Sequence, residues 1–133
     1  MRILLADDHP QLLDRVTALL RSSFDVIGTA HNGEELIAEA KRLDPDVIVS
    51  DIVMPVMSGI EAAHQLHEAG SQAKFVFLTV HSEDEFIQAC LAEGGMGYVL
   101  KSRLGTDLIP AINAACSGQR YISRSANHNI MQA

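Results

Sequence analysis

Five polar residues directly follow four short apolar segments of this 133-residue chain, and their types suit phosphoryl chemistry. They are Asp7, Asp8, Asp51, Thr79 and Lys101. Three carboxylates held together repel one another unless a pKa rises or a hard cation neutralises them, and oxygen ligands suit magnesium. An ammonium group and a hydroxyl group beside them would bind phosphoryl oxygens. The set therefore predicts a phosphoryl-binding site with Asp51 as the candidate nucleophile.

The segments that carry these residues alternate with segments of helical period. Strands are predicted over residues 3–6, 24–30, 47–50, 75–78 and 98–100. Helices are predicted between them, with capping signals at Asn32, Ser58 and Ser82. Pro10 is expected in the first turn of the first helix, and Pro110 in or just after the first turn of the fifth. The alternation predicts an α/β domain, a doubly wound (βα)5 fold whose five-stranded parallel sheet has the order 2-1-3-4-5.

This topology predicts that the five polar residues meet. In an open α/β sheet, ligands bind outside the carboxyl ends of the strands, at the point where strands one and three flank the change in strand order. An aspartate after a strand is more often only a helix N-cap, and a lone threonine or lysine there would indicate nothing. The prediction depends on their joint placement at four strand ends.

The charge balance excludes other classes of function. The chain has 10 Lys and Arg against 17 Asp and Glu, a net charge of -7. Its scattered cations do not favour direct binding to nucleic acid or to an anionic membrane. No apolar run reaches the length of a signal peptide or a transmembrane helix, so a cytoplasmic location is expected. Cys90 and Cys116 lie among apolar residues at helical spacing and are predicted to be two buried, reduced thiols.

Four motifs together resemble the receiver domain of two-component response regulators, which has a flavodoxin-like (CheY-like) fold. They are Asp7-Asp8, residues 51–59 (DIVMPVMSG), Leu78-Thr79 and residues 97–101 (GYVLK). The resemblance covers about residues 1–120. Residues 6–10 (ADDHP) and 118–123 (GQRYIS) are similar to the NarL/FixJ-like subfamily, whose members usually continue into a LuxR-type helix-turn-helix domain.

The resemblance implies an acceptor and a metal site. Asp51 would accept a phosphoryl group from the phosphohistidine of a sensor histidine kinase. Mg²⁺, or Mn²⁺ in its place, would be held by Asp7, Asp8, Asp51 and the backbone carbonyl of Val53.

The resemblance also implies how the site would respond. Thr79 and Lys101 would bind the phosphoryl oxygens, and Tyr98 would turn inward as Thr79 moves. Val53 and His81, which depart from the commonest pattern, are expected to tune autodephosphorylation. Beyond self-catalysed phosphotransfer and autodephosphorylation, the resemblance implies no enzyme activity.

The expected domain organisation is a receiver over residues 1–120, with residues 121–133 as a tail or the beginning of a linker. The implied partners are a sensor histidine kinase and, after phosphorylation, a second copy of the chain. DNA would be contacted only through an output domain absent from this chain, and no membrane contact is expected.

Three other functions stay open as alternatives. One is a stand-alone receiver that acts through protein contacts. Another is a small aspartyl-phosphate phosphatase, although such enzymes commonly have a general acid two residues after the nucleophile, where this chain has Val53. A flavodoxin-like cofactor carrier ranks last, because its first strand–helix loop should be rich in Ser, Thr and Gly, whereas this loop is acidic. Glu61, His64 and Glu68 share a helix face, which is expected to be solvated rather than to bind zinc.

Overall fold

The computed structural model describes residues 1–80 and 84–123, which form a parallel sheet covered on both faces by helices. Its strands are β1 (Arg2–Ala6), β2 (Asp25–Ala30), β3 (Val47–Asp51), β4 (Lys74–Thr79), β5 (Gly95–Leu100) and β6 (Tyr121–Ile122). Its helices are α1 (Pro10–Leu20), α2 (Gly33–Leu43), α3 (Gly59–Glu68), α4 (Asp84–Ala92) and α5 (Leu104–Cys116), and a 3-10 turn, η1 (Lys101–Arg103), precedes α5. The strand order is β2-β1-β3-β4-β5-β6. The predicted doubly wound α/β fold is confirmed.

Alternate side chains of each strand enter two cores on opposite faces of the sheet. Phe75 and Phe77 of β4 lie in one core with buried residues of α2, α3 and α4. Val76 and Leu78 lie in the other core with buried residues of α1 and α5. Because both faces are covered, the strands are almost wholly apolar, as expected of a parallel sheet.

Two of the three predicted helix caps are present. The Asn32 side chain accepts a hydrogen bond from the backbone N–H of Glu35 at 2.9 Å, and Ser58 accepts one from Glu61 at 3.1 Å. Each bond satisfies a backbone donor that the first turn of a helix leaves unpaired. The third predicted cap, Ser82, lies outside the described residues.

The sixth strand was not predicted. Tyr121 and Ile122 pair in parallel with Gly97 and Tyr98, and the backbone N–H of Ser123 donates to the Tyr98 carbonyl at 2.7 Å. A strand of two residues is too short to show a period of two in the sequence, so residues 121–123 resembled a polar tail.

Helix α5 contradicts two further expectations. It begins at Leu104, so Pro110 lies in the interior of the helix and not near its first turn. Pro110 therefore removes one backbone hydrogen bond from the helix. Cys90 is buried as predicted, but Cys116 is exposed because it is the last residue of α5. Among the described residues, no helix is long and apolar enough to cross a membrane.

Candidate functional site

The pairing of the strands brings the predicted polar residues to one edge of the sheet. Strands β1 and β3 end side by side, with Asp7 and Asp8 just after β1 and Asp51 as the last residue of β3. Strands β4 and β5 are paired in the same way, with Thr79 as the last residue of β4 and Lys101 directly after β5. The carboxyl edge of the sheet therefore positions all five residues, as the topology predicts.

Lys101 joins two buried carboxylates at this edge. Its ammonium nitrogen lies 3.1 Å from Asp51 Oδ2 and 3.1 Å from Asp7 Oδ2. Asp51 is 5% exposed and Asp7 is 1% exposed. Burial acts to lower the pKa of Lys101, but the carboxylates of Asp51 and Asp7 outweigh it and raise the pKa above its ordinary value. Lys101 is thus a fixed positive charge in the site.

Opposing effects act on the pKa of the Asp51 carboxyl group. Burial raises the pKa of its carboxyl group, and the charge of Asp7 raises it further. Lys101 and a backbone hydrogen bond from Val53 act in the opposite direction, without cancelling the increase. The Asp51 carboxylate is therefore less stable in this site than in water, and added positive charge would relieve that cost.

The acidic residues can offer ligands to one cation. One ligand atom from each of Asp7, Asp8, His9 and Asp51 lies within 4.8 Å of the other three. Among the described residues, the buried side-chain atoms that make no hydrogen bond of ordinary geometry are Asp7 Oδ2 and Asp8 Oδ1. Lys101 Nζ lies 3.1 Å from the first and His9 Nδ1 lies 3.1 Å from the second. Buried carboxylate oxygens with incomplete hydrogen bonding cost free energy, and a hard divalent cation is a group that such oxygens bind. The donor set therefore fits Mg²⁺ or Mn²⁺.

His9, for which its place beside Asp8 in the sequence favoured a surface role, is also a member of this cluster. Its backbone N–H donates to Asp7 Oδ1 at 2.9 Å, and its Nδ1 lies 3.0 Å from the same oxygen. The contacts follow from its position next to Asp8 at the beginning of α1. That adjacency was visible in the sequence, but it does not distinguish a site residue from an ordinary surface histidine.

The loop after Asp51 has an unusual backbone. The N–H of Met57 donates to the Pro55 carbonyl at 2.7 Å, a three-residue turn in which Val56 has φ of 70°. A β-branched residue in that region is strained, and such turns are rare. At Gly59 a Cβ would lie 2.1 Å from the Asp51 carbonyl oxygen, so only glycine lets α3 begin this close to Asp51.

The remaining predicted site residues have different surroundings. Thr79 is 2% exposed and Tyr98 is 1% exposed, with Tyr98 in the core beneath α3 and α4. Val53 and Val80, in contrast, are 59% and 73% exposed. His81 lies outside the described residues.

A second polar cluster, centred on Asp107 in α5, has no counterpart in the sequence analysis. Asp107 is 2% exposed. Its carboxylate accepts from Arg103 Nε at 2.8 Å, from the Tyr121 hydroxyl at 2.9 Å and from the Ser123 hydroxyl. These groups outweigh burial and lower the pKa of Asp107. An acidic residue in the first turn of a helix is ordinarily explained by the helix dipole alone. The position of Asp107 in the sequence therefore does not predict the hydrogen bonds that its carboxylate accepts.

The helix face of Glu61, His64 and Glu68 is exposed and carries ion pairs. His64 Nδ1 lies 2.9 Å from Glu93 Oε1, and Glu68 is 3.9 Å from the other ring nitrogen. Within residues 1–80 and 84–123, the cluster at Asp7, Asp8, His9 and Asp51 is the one group of three or more side chains placed to hold a metal.

Comparison with known sequences identifies close relatives. The chain is 38% identical over 125 residues to the nitrate/nitrite response regulator protein NarL of Escherichia coli (strain K12). That match covers 92% of this chain and 58% of NarL, so the chain spans little more than half the length of this relative.

Solved structures show the same fold. A two-component response regulator of the LuxR family from Aurantimonas sp. SI85-9A1 superposes with a TM-score of 0.91 at 28% identity, covering 98% of this chain and 95% of that one. The isolated receiver domain of RcsB from Salmonella enterica serovar Typhimurium, in the presence of the phosphomimetic BeF3⁻, superposes with a TM-score of 0.86 at 26% identity over 96% of each chain.

The family model of the response regulator receiver domain matches residues 3–113, which include every strand end of the candidate site. Both structural relatives carry response-regulator domains, and NarL is itself a response regulator. The chain therefore belongs to the response regulator receiver domain family.

Proposed function

We propose that this receiver domain accepts a phosphoryl group on Asp51 and passes the change in charge to its surface. The observation that carries the proposal is the placement of Asp51 at the carboxyl edge of β3, 3.1 Å from the ammonium of Lys101. The solved structure of the RcsB receiver in the presence of a phosphomimetic is a second line of support, because the two chains share their fold.

A divalent cation would be held by Asp7, Asp8, Asp51 and the backbone carbonyl of Val53. The two buried oxygens on Asp7 and Asp8 that make no hydrogen bond of ordinary geometry support this assignment. When bound, Mg²⁺ or Mn²⁺ would supply positive charge to the carboxylates and to the transferring phosphoryl oxygens.

The chain's own residues would carry the transfer as follows. A carboxylate oxygen of Asp51 attacks the phosphorus of a phosphohistidine, a P–O bond forms, and the P–N bond breaks with the electron pair going to the leaving imidazole. Lys101 offsets the negative charge of the phosphoryl oxygens throughout. Burial of Asp51 limits the access of water, which favours transfer to the carboxylate over direct hydrolysis.

The phosphorylated site would then act on Thr79 and Tyr98. An aspartyl phosphate carries more negative charge than the carboxylate it replaces, so the Thr79 hydroxyl gains an acceptor. Movement of Thr79 changes the space available to the Tyr98 ring, which lies at the neighbouring strand. The output is a shift between two surface states at α4, β5 and α5.

Residues around the site would set how long the phosphoryl group lasts. The Val53 side chain is 59% exposed beside the acceptor and offers no acid or base to an attacking water. We propose Val53 and His81 as tuning positions. The absence of an acid at Val53 also favours a switch over a phosphatase with multiple turnovers.

The partners follow from the same proposal. A sensor histidine kinase would donate the phosphoryl group, and a second copy of the chain is the partner expected after phosphorylation. Because the relatives include a LuxR-family regulator, we propose that this receiver, over residues 1–120, controls transcription through a LuxR-type DNA-binding domain, in the cytoplasm.

The proposal is tested by intact mass after incubation with Mg²⁺ and acetyl phosphate. The wild-type chain should gain one phosphoryl group, and the gain should be absent with EDTA or in Asp51→Asn. The exposed Asp14→Asn variant, which removes the same charge from α1, is the matched control and should gain the group normally. An unmodified wild-type chain, or an equal gain in Asp51→Asn, contradicts the proposal. Continuous release of phosphate from a simple phosphoester would instead indicate a phosphatase.

A further inference from the structure

The buried cluster at Asp107 lies outside the phosphoacceptor site but is connected to it by a continuous set of contacts. Lys101 and Arg103 are the first and last residues of the same 3-10 turn, η1. Lys101 contacts the Asp51 carboxylate at 3.1 Å. Two residues later, Arg103 donates to both oxygens of Asp107, at 2.8 and 3.3 Å. One short turn is thus anchored at the acceptor site and at Asp107.

Asp107 also holds the last described segment of the chain. It accepts hydrogen bonds from the hydroxyl groups of Tyr121 and Ser123. Ser123 in turn donates its backbone N–H to the carbonyl of Tyr98, at 2.7 Å. The contacts form a closed ring that runs from β5 through η1 and Asp107 to β6 and back to β5.

Asp107 is the central member of the ring because its carboxylate accepts the hydrogen bonds of all three donor side chains. A buried carboxylate needs donors, and here one donor comes from η1 and two come from residues 121–123. Strand β6 has only two residues, and isolated strands of that length have little stability of their own. Its backbone pairing to β5 covers two residues, so the side-chain bonds to Asp107 add to its attachment.

We propose that Asp107 is a positioning residue that latches residues Tyr121–Ser123 onto β5 and couples that latch to the turn carrying Lys101. The proposal deepens the proposed function and, for its signalling role, rests on it. When the ion pair between Lys101 and Asp51 is lost or lengthened, η1 shifts. The hydrogen bonds from Arg103 to Asp107 then change as well. Coupling of this kind is reciprocal, so release of Tyr121–Ser123 would also alter the acceptor site.

The latch is tested by amide hydrogen exchange, read by NMR at Ser123, in unphosphorylated protein without metal. Asp107→Asn keeps the shape of the side chain but removes the charge that its three donors share. Hydrogen bonds to charged groups have measurable stability, so we expect exchange at Ser123 to become faster by about tenfold or more. Asp14→Asn, the matched control on exposed α1, should exchange at the wild-type rate. Equal rates at Ser123 in Asp107→Asn and the control would overturn the latch.

The coupling is tested with Lys101→Met, which cuts the tether of η1 to the acceptor site and leaves Asp107 intact. Exchange at Ser123 should change by about threefold or more, whereas the amide of Val49 in the central strand, which reports global opening, should not change in parallel. An unchanged rate at Ser123 overturns the coupling, and so does an equal change at Val49. Tyr121→Phe, which removes one donor from the surface side, should reproduce the Asp107→Asn effect in weaker form if the latter variant folds poorly.

These outcomes are separate from the test of Asp51. If the wild-type chain gains no phosphoryl group, the proposed function fails, while exchange at Ser123 still decides the latch. If phosphorylation occurs but Asp107→Asn leaves Ser123 protected, the latch fails and the proposed function stands.

Discussion

Removing the charge of Asp8 should stabilise the metal-free protein, although Asp8 belongs to the candidate site. Ligand atoms of Asp7, Asp8 and Asp51 lie within 4.8 Å of one another, and Asp8 Oδ1 is buried without a hydrogen bond of ordinary geometry. In Asp8→Asn the repulsion from two neighbouring carboxylates disappears, while the shape of the side chain is kept. Sites built for ligands commonly cost stability in this way.

The size of the effect follows from the distances. Two unit charges 4.8 Å apart repel by about 3.5 kcal/mol at an effective dielectric constant of about 20. The Asp8 side chain is 31% exposed, so screening by solvent reduces this figure. Attraction to Lys101 offsets part of the remainder. We expect a net gain of about 1–2 kcal/mol in the free energy of unfolding, or about 3–8 °C in Tm for a domain of this size.

The assay is urea unfolding followed by circular dichroism at pH 8, in EDTA and in Mg²⁺. In EDTA, Asp8→Asn should be more stable than the wild type, and the exposed Asp14→Asn control should match the wild type. In Mg²⁺ at hundredfold excess over its Kd the order should reverse, because a ligand that binds only the folded state then adds about 2.7 kcal/mol to the wild type, more than the gain expected from the substitution. Equal or lower stability of Asp8→Asn in EDTA would refute the electrostatic reasoning.

Three further predictions concern other parts of the fold. Glu93 raises the pKa of His64, so the stability contributed by this pair is fully present below pH 6.5 and is lost as the pH rises through the higher folded-state pKa. The difference in free energy of unfolding between the wild type and His64→Gln should therefore shrink from pH 6 to pH 9. A difference that stays constant over this range contradicts the prediction. Gly59→Ala should destabilise the fold by at least about 2 kcal/mol in urea unfolding, because the added Cβ would lie 2.1 Å from a backbone oxygen. Gly105→Ala is the control and should not destabilise the fold, because its added Cβ would meet no neighbouring atom within 4 Å. In the native protein a thiol reagent should modify Cys116 but not Cys90, which is buried with its pKa raised to about 12; rapid labelling of both thiols in the native protein would contradict their placement.

The sheet and the acidic site were predictable from the sequence because both depend on local signals. Apolar strands alternate with capped helices, and Asp7, Asp51 and Lys101 each follow a strand directly. The carboxyl edge of a doubly wound sheet then requires these residues to meet.

The latch at Asp107 could not be predicted because its partners are distant in the sequence. The Tyr121 and Ser123 hydroxyls follow Asp107 by 14 and 16 residues, beyond any helical or strand period. The exposure of Cys116 and the interior position of Pro110 depend on where α5 begins and ends, and helix ends are the least certain part of a sequence-based prediction.

We propose that Asp51, and no other carboxylate of the cluster, takes the phosphoryl group. This is tested by treating the protein with Mg²⁺ and acetyl phosphate and then reducing it with borohydride. The reduction converts an aspartyl phosphate to homoserine, and peptide sequencing in the mass spectrometer then locates the homoserine. We expect homoserine at position 51 alone. Homoserine at position 7 or 8, or none at position 51 in protein that has gained the phosphoryl mass, would contradict it.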